Sequence, residues 1–533
     1  MPKTTPSKRC ATSAQKQAHP SVTLLIWDGF GVSKRKEGNA TALAKMPMWH
    51  KLLRENPNTL LESDGEAVGL PSGQVGNSEA GHTTIGAGRP IETDVVRISA
   101  EIKKHAFYKN PALLRAVAHV TRHHSTLHMM GLLTNRSSGH SYPDHLFALL
   151  KFVKEMRVPH VVLHLFTDGR DTPPHLAPKL LADLEKRLPK NCTIGSITGR
   201  YYAMDRNKFW ERTERAYNAL VLGEGYHAPT PVDAIGRAYN RGESDEFIKP
   251  TLIKANGSKP QCIRDNDAII FWNLRSDRAR QLTKPFVLKQ FESSEQTPTF
   301  KRKAIRKGVF FVTLTEFGAE LDSVVAAYPS RGITGTLVEA LRSHRQYYIA
   351  ESEKFVHVTY FLNGGYDRIR FGEHRIHIPT VRVERYDEKP QMRAKEIGRA
   401  VIRALDDGAD FVCANFANAD MVGHTGNLAA SVTACEALDA ALGEIWKSVQ
   451  SHCGVLMVIS DHGNAEEVVA PDGTPDTEHN PNPVPCCLAG RLPSNTRLRK
   501  NGQLADVAPT ILHLMKIDIP EQMSGSSLIR KKA

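Results

Sequence analysis

Val22-Thr23-Leu24-Leu25-Ile26-Trp27 runs without a charged residue straight into Asp28-Gly29-Phe30-Gly31, and Val455–Ile459 runs the same way into Ser460-Asp461-His462-Gly463-Asn464. Apolar runs this short, with no polar face, suit strands buried on both sides, which means parallel strands joined by helical crossovers. The alternation recurs along the chain. Thr126–Leu132, Val161–Phe166, Thr193–Ile197, Ala268–Asn273 and Phe411–Phe416 read as further strands, and Leu146–Met156, Leu176–Leu188, Met392–Leu405 and Ala429–Gln450 as helices. A helical stretch, Ala40–Asn56, comes after the first strand, and the apolar run Val356–Leu362 continues the alternation. No internal repeat is evident. At 533 residues the chain is too long for one ordinary core, so the reading is an α/β protein of two or three domains.

The residues just beyond each strand are the second constraint. In open α/β sheets ligands bind beyond the C-terminal strand ends, and there the sequence places Asp28, then Asp420 and His424 in Ala417-Asn418-Ala419-Asp420-Met421-Val422-Gly423-His424, then Asp461 and His462. His479 lies in the turn-rich stretch Thr477–Pro481. Three carboxylates and three imidazoles suit two divalent transition-series ions, Mn²⁺, Zn²⁺ or Co²⁺, because imidazole is a poor ligand for Mg²⁺. A different set succeeds the strands between residues 94 and 326. It comprises Thr134-Asn135-Arg136 with His140, Asp168-Gly169-Arg170-Asp171, Arg200 through Arg206, and Arg275-Ser276-Asp277-Arg278. Forked guanidinium groups recurring at equivalent strand ends suit a carboxylate or a phosphate.

Ser78 sits in Gly73-Gln74-Val75-Gly76-Asn77-Ser78-Glu79-Ala80-Gly81-His82, where a loop passes into a helix. The glycines predict positive φ angles and close approach of a ligand to the backbone. With two metals nearby, Ser78 reads as a nucleophile for in-line phosphoryl transfer, and the product of its attack is a phosphoserine.

The formal net charge of +13 fits an anionic ligand. Part of the excess is peripheral, in residues 1–20, in Lys301-Arg302-Lys303 with Arg306-Lys307, and in Arg530-Lys531-Lys532. No aromatic interleaving or nucleic-acid motif accompanies these runs, so no nucleic-acid partner is expected. Residues 1–20 carry three prolines and no periodicity and predict a disordered tail, without the Arg-rich amphipathic face of an organelle presequence. There is no run of eighteen apolar residues and no apolar h-region near the start, so neither membrane association nor secretion is expected and a cytoplasmic location is predicted. The eight cysteines include no Cys-x-x-Cys pair and read as reduced, packed thiols.

Six stretches together carry a resemblance. They are Asp28-Gly-Phe-Gly31, Gly76-Asn-Ser-Glu-Ala-Gly-His82, Asp168-Gly-Arg-Asp171, Leu274-Arg-Ser-Asp-Arg-Ala-Arg280, Asn418-Ala-Asp-Met-Val-Gly-His-Thr425 and Ser460-Asp-His-Gly-Asn464. In this order, from about Val22 to Leu528, the chain resembles the cofactor-independent phosphoglycerate mutases of the alkaline phosphatase superfamily. The resemblance implies an alkaline-phosphatase-like sheet domain, discontinuous in sequence (21–93 and 327–533), with an α/β transferase domain (94–326) inserted through two hinge linkers. It implies one divalent ion on Asp420, His424 and His479 and a second on Asp28, Ser78, Asp461 and His462, with Mn²⁺ expected and Co²⁺ or Mg²⁺ as alternatives. It implies that His140, Arg170, Asp171, Arg200, Arg206, Arg275, Arg278 and Lys354 grip 2- or 3-phosphoglycerate, that Asp171 is the general acid/base, and that the enzyme is a glycolytic and gluconeogenic monomer needing no bisphosphoglycerate.

The chain departs from the common pattern in a short histidine loop, Gly139-His140-Ser141-Tyr142-Pro143-Asp144-His145, in the segment 290–308 and in its basic tail. Competing readings are a two-metal phosphatase or phosphopentomutase of the same superfamily, and a basic binding module without catalysis. A plain hydrolase needs no arginine clamp for the departing alcohol, and a binding module needs no Ser78. The phosphohistidine type of mutase is disfavoured because no Arg-His-Gly triplet occurs.

Overall fold

The computed structural model describes residues 19–530 except 255–257, 296–297, 319, 322 and 331. The expectations for residues 1–18 and 531–533 therefore lie outside the described residues. In chain order the strands are β1 (Val22–Trp27), β2 (Asn58–Glu62), β3 (Leu127–Leu133), β4 (Val161–Thr167), β5 (Cys192–Gly199), β6 (Tyr226–Ala228), β7 (Thr251–Ile253), β8 (Ala268–Phe271), β9 (Phe310–Thr315), β10 (Val324–Tyr328), β11 (Gln346–Glu351), β12 (His374–Ile378), β13 (Phe411–Phe416), β14 (Val455–Ile459), β15 (Val484–Gly490) and β16 (Gly502–Gln503). The chain divides into two compact units. One runs to Thr93 and resumes at Gly332, and the other begins at Asp94.

The discontinuous unit is built on an eight-stranded sheet in the order β12-β11-β13-β1-β14-β15-β2-β16. β13, β1 and β14 are adjacent and parallel, with Ile26 level with Asn415 on one side and Ile459 on the other. Every residue of these three strands is buried, which is why their sequences show no polar alternation. One apolar layer places Trp27, Phe30 and Trp49 against the helices Ala394–Asp406 and Leu428–Ser451, and the other packs Ile26, Met457 and Ile459 against the helix Val507–Met515. The three strands end level, so the turns beyond them converge.

The second unit has its own eight-stranded sheet, β10-β9-β8-β3-β4-β5-β7-β6. It is parallel from β10 through β5, and β7 runs antiparallel to β5. The return to the first unit comes later than residue 326, because β10 pairs in parallel with β9 and so belongs to the second sheet.

Two local expectations are corrected. Ala40–Asn56 is two helices, Ala40–Leu43 and Pro47–Glu55, because Ala44 turns extended and Pro47 starts a new helix at its first position. Val356–Leu362 is helical, with a π-turn over His357–Phe361. Cys192, Cys262, Cys413, Cys435, Cys486 and Cys487 are free thiols, whereas Cys453 is disulfide-bonded. Among the described residues no helix is long and apolar enough to cross a membrane.

Candidate active site

Ser78 is the first residue of the helix Ser78–Ala87. The helix is capped by Asn77, whose side chain accepts the Ala80 N–H at 2.9 Å. Its hydroxyl is buried and lies 3.1 Å from Asp28 Oδ1, 3.0 Å from His462 Nε2 and 2.7 Å from Lys354 Nζ. The glycines around it serve packing more than ligand approach. A Cβ on Gly81 would stand 2.8 Å from the Asp461 carbonyl oxygen, so the missing side chain lets the helix lie against the β14 turn. Gly29, at φ +71°, likewise leaves no room for a Cβ beside the Asp420 Cα at 2.7 Å.

Asp28, Asp420, Asp461 and His462 lie just past β1, β13 and β14 and are buried together. Lys354, just beyond β11, donates to Asp28 Oδ1 and to Asp420 Oδ2, each at 2.6 Å. Burial opposes the ammonium charge, but Asp28, Asp420 and Asp461 push the Lys354 pKa up. Burial likewise opposes ionisation of Asp28 and Asp420, and Lys354 nonetheless holds both well below the carboxylate range. His462, buried among Asp461, Asp28 and Asp420, is raised to about 10 despite its desolvation.

The donor set fits two cations. Asp420, His424 and His479 form one group whose ligand atoms lie within 4.8 Å of one another, and Asp28, Asp461 and His462 form another. His424 Nδ1 lies 2.7 Å from the Thr477 carbonyl and His479 Nδ1 lies 3.0 Å from the Gly76 carbonyl. With those N–H groups donated to backbone, both Nε2 atoms turn inward, 3.2 Å from Asp420 Oδ1 and 3.2 Å from each other. Two imidazole lone pairs at that separation need a proton or a metal between them, and the outward Nδ1–H to a carbonyl is the usual orientation of a metal-binding histidine. In the other group His82 Nδ1 is 3.1 Å from Asp461 Oδ2 but is directed to the Ser78 carbonyl at 2.9 Å. Asp461 Oδ2 is thus buried without a hydrogen-bond partner, a cost that a bound cation would remove.

Further residues support the site, of which Asn415 and Glu466 carry no signal in the sequence. Asn415 donates to Asp28 Oδ2 at 2.7 Å and stands 3.0 Å from His82 Nε2. Asn464 donates to Asp420 Oδ1 at 2.9 Å. Glu466, fully buried, accepts the N–H groups of Gly31 and Asn464 at 2.9 Å each, tying the β1 turn to the β14 turn. Only the pairing of β13, β1 and β14 brings these side chains together.

A second cluster lies in the other unit, at the C-terminal ends of β3, β4, β5 and β8. Arg200 is buried, with Nη1 2.6 Å from Asp168 Oδ1 and 2.9 Å from Asp171 Oδ2. Asp168 also accepts the Thr134 hydroxyl at 2.6 Å and the Asp171 N–H at 3.0 Å, which fixes the turn that presents Asp171. Ser138 donates to Asp171 Oδ2 at 2.6 Å. Burial would raise the Asp171 pKa, but the Ser138 and Arg200 hydrogen bonds bring it below the ordinary value. Arg206 pairs with Asp277 at 2.8 Å, Arg275 lies 3.7 Å from the same carboxylate, and Arg170 reaches Glu246 at 3.5 Å. Arg278 donates to the Met204 carbonyl at 3.3 Å, and its pKa is lowered by burial and then by Arg200, Arg206 and Arg170, so these guanidinium groups crowd one another. His140 is buried 3.7 Å from Asp277 Oδ1, and desolvation, with Arg200 and Arg275 beside it, lowers it to about 4.

The structure thus gathers His140, Arg170, Asp171, Arg200, Arg206, Arg275 and Arg278 in one unit. It places Lys354 with Ser78 in the other unit. Arg136 is outside the cluster, exposed and paired with Asp144 at 2.9 Å.

Comparison with known proteins gives the family. Residues 98–319 match the family model described as the BPG-independent PGAM N-terminus. A 2,3-bisphosphoglycerate-independent phosphoglycerate mutase of Moorella thermoacetica is 43% identical over 512 residues, covering 95% of this chain and 98% of that protein. One from Methanosarcina barkeri is 44% identical over 523 residues, covering 97% and 99%. The crystal structure of Leishmania mexicana phosphoglycerate mutase at low cobalt concentration is similar with a TM-score of 0.73 at 28% identity, over 97% of this chain and 99% of that one. With identity at this level across nearly the whole length, the chain belongs to the 2,3-bisphosphoglycerate-independent phosphoglycerate mutase family.

Proposed function

We propose that this protein interconverts 3-phosphoglycerate and 2-phosphoglycerate through a phosphoserine on Ser78, without bisphosphoglycerate. The observation that carries the reading is the Ser78 hydroxyl, buried at a helix N-terminus 2.7 Å from Lys354 Nζ and 3.1 Å from Asp28 Oδ1, between two metal-type donor groups. Asp28, Ser78, Asp461 and His462 would hold one divalent ion, and Asp420, His424 and His479 the other. Mn²⁺ suits this mixture of carboxylate and imidazole, with Co²⁺ or Mg²⁺ as alternatives. Bound there, the ions supply Lewis-acid stabilisation of phosphoryl charge and favour the ionised serine.

The chain's own groups do the rest. Ser78 Oγ, as the alkoxide, forms a bond to phosphorus while the bond from phosphorus to the 3-oxygen of glycerate breaks. In the return step the 2-oxygen attacks and the alkoxide is regenerated. The departing oxygen gains a proton and the attacking hydroxyl gives one up, and Asp171 carries that proton between them. Lys354 and the helix N-terminus offset the phosphoryl charge. His140, Arg170, Arg200, Arg206, Arg275 and Arg278 hold the phosphoglycerate, so that glycerate is retained while the phosphoryl group is on the serine. We read the enzyme as a cytoplasmic monomer serving glycolysis and gluconeogenesis.

The names of the relatives support a mutase over a two-metal phosphatase or a phosphopentomutase. The test is an enolase-coupled assay on 3-phosphoglycerate without bisphosphoglycerate, on samples before and after chelation and with bound metal measured. Turnover that stops on chelation and returns with Mn²⁺ is expected. Release of inorganic phosphate in place of 2-phosphoglycerate would overturn the reading in favour of a phosphatase.

A further inference from the structure

The segment 290–308 that the sequence leaves unassigned is built into the second unit. Phe291 is fully buried, its ring 5.4 Å from Trp210 and 4.9 Å from Phe300. Arg302 is also buried. It pairs through both forks with Glu292 at 2.9 Å and donates to the carbonyls of Pro285 at 3.1 Å, Leu288 at 2.8 Å and Lys289 at 3.0 Å. It thereby anchors the segment to the C-terminal end of the helix Arg280–Val287.

Glu295 projects from this anchored segment and forms a close ion pair with Lys284 of the same helix. Its other carboxylate oxygen is 2.9 Å from Lys208 Nζ. Lys208 is two residues from Arg206, in a short loop whose backbone is under constraint. Its φ is +63°, its N–H is held by Gln281 at 3.0 Å, and Asp205 accepts the N–H groups of Asn207 and Phe209 at 3.0 Å each. A non-glycine residue at such a φ persists only where its surroundings hold it. Arg206, Lys208, Asp277, Lys284 and Glu295 line one cavity of about 420 Å³. The Arg206 guanidinium is half exposed, and its one ion-pair partner among the described residues is Asp277.

We propose that Glu295 is a positioning residue for Arg206: by tying Lys208 to the helix Arg280–Val287 it holds the 204–209 loop so that the Arg206 guanidinium stays beside Asp277, aimed at the substrate anion. The described residues of the segment 290–308 are then a strut for the anion cluster, and Arg302 fastens it. The inference rests on the mutase reading given above.

The test is steady-state kinetics on 3-phosphoglycerate with wild type, Glu295→Gln, Lys208→Met and the double variant. Glu295→Gln should raise KM about 3- to 10-fold with kcat within about 2-fold, the pattern of lost uniform binding. Lys208→Met should raise KM similarly, and Glu295→Gln should add nothing in that background. An unchanged KM in both single variants overturns the inference, as does a full additional KM increase in the double variant. An inactive wild type would instead overturn the mutase reading on which the inference stands.

Discussion

The two clusters occupy equivalent places, the C-terminal edges of two mainly parallel sheets, and are built on opposite principles. Around Ser78 the carboxylates of Asp28, Asp420 and Asp461 are buried, and among the described residues the only lysine or arginine hydrogen-bonded to Asp28 and Asp420 is Lys354. The imidazoles there are oriented by backbone carbonyls, leaving the inward atoms acceptor-rich. Around Asp171 one arginine, Arg200, is buried and doubly paired, while the side chains of Arg170, Arg206 and Arg275 are half exposed. A cation held for many turnovers needs a rigid, preformed cage, whereas a substrate that enters and leaves needs charges that can be desolvated and resolvated. The comparison therefore predicts that substitutions near Ser78 act on chemistry and metal retention, and that those on the exposed arginines act on substrate affinity.

The largest effect should come from Ser78→Ala. Loss of the only proposed nucleophile should reduce turnover by at least about 10⁴-fold, and intact-mass measurement after mixing with 3-phosphoglycerate should show no phosphorylated protein. Retained turnover would remove the distinction between the two clusters, because the chemistry would then have to lie elsewhere.

Asp171→Asn comes next. As the acid/base group it should lose about 10²- to 10⁴-fold in kcat with KM little changed, an exception within the arginine cluster that separates its one catalytic carboxylate from its binding cations. Burial alone would raise this carboxyl, but Ser138 and Arg200 bring it below the ordinary 3.8. The ionised form is therefore present above that value and is lost only as pH falls through the depressed one. The acid limb of kcat/KM due to Asp171 should lie below pH 3.8, so a wild-type limb near neutrality must come from another group.

Metal binding should separate the clusters by stability. Mn²⁺ at about 100 times its dissociation constant stabilises the native state by about 2.7 kcal/mol if it does not bind the unfolded chain. Differential scanning calorimetry should show that rise in wild type and in Arg275→Ala, and a smaller rise in Asp461→Asn, which keeps the Asp420, His424 and His479 group. A metal-dependent shift unaffected by Asp461→Asn would break the assignment of Asp28, Asp461 and His462 as ligands.

How much of this could be read from the chain is set by the same physics. β1, β13 and β14 were legible because burial on both faces leaves no room for a polar residue until the strand ends, so Asp28, Asp420 and Asp461 stand out where they occur. The arginines after β4, β5 and β8 were legible for the same reason. Asn415 and Glu466 were not, because each matters through a contact with a residue hundreds of positions away, for example Gly31 with Glu466. Gly81 shows a different failure. The positive φ expected of these glycines occurs at Gly73 but not at Gly76 or Gly81, and the reason for glycine at 81 is the Asp461 carbonyl pressed against the helix, which only packing reveals. Lys354 comes after a strand as the arginines do, and sequence order could not tell which of the two clusters it would join.

The smallest effect is the most discriminating for the open cluster. The Arg275 side chain is about half exposed at 49%, and the ion pair of its Nε with Asp277 is long, at 3.7 Å, a geometry that contributes little to folding in water. Arg275→Ala should raise KM for 3-phosphoglycerate about 10-fold, as expected for a lost charge-assisted contact to an anion. Raising ionic strength from low salt to physiological should raise the wild-type KM by screening, and by less in Arg275→Ala, since that variant has one fewer cation to screen. Equal salt dependence in the two proteins, or a stability loss comparable to that of a buried pair, would mean that Arg275 belongs to the framework of its unit, and the contrast between a rigid metal cage and an open anion cluster would then rest on Arg170 and Arg206 alone.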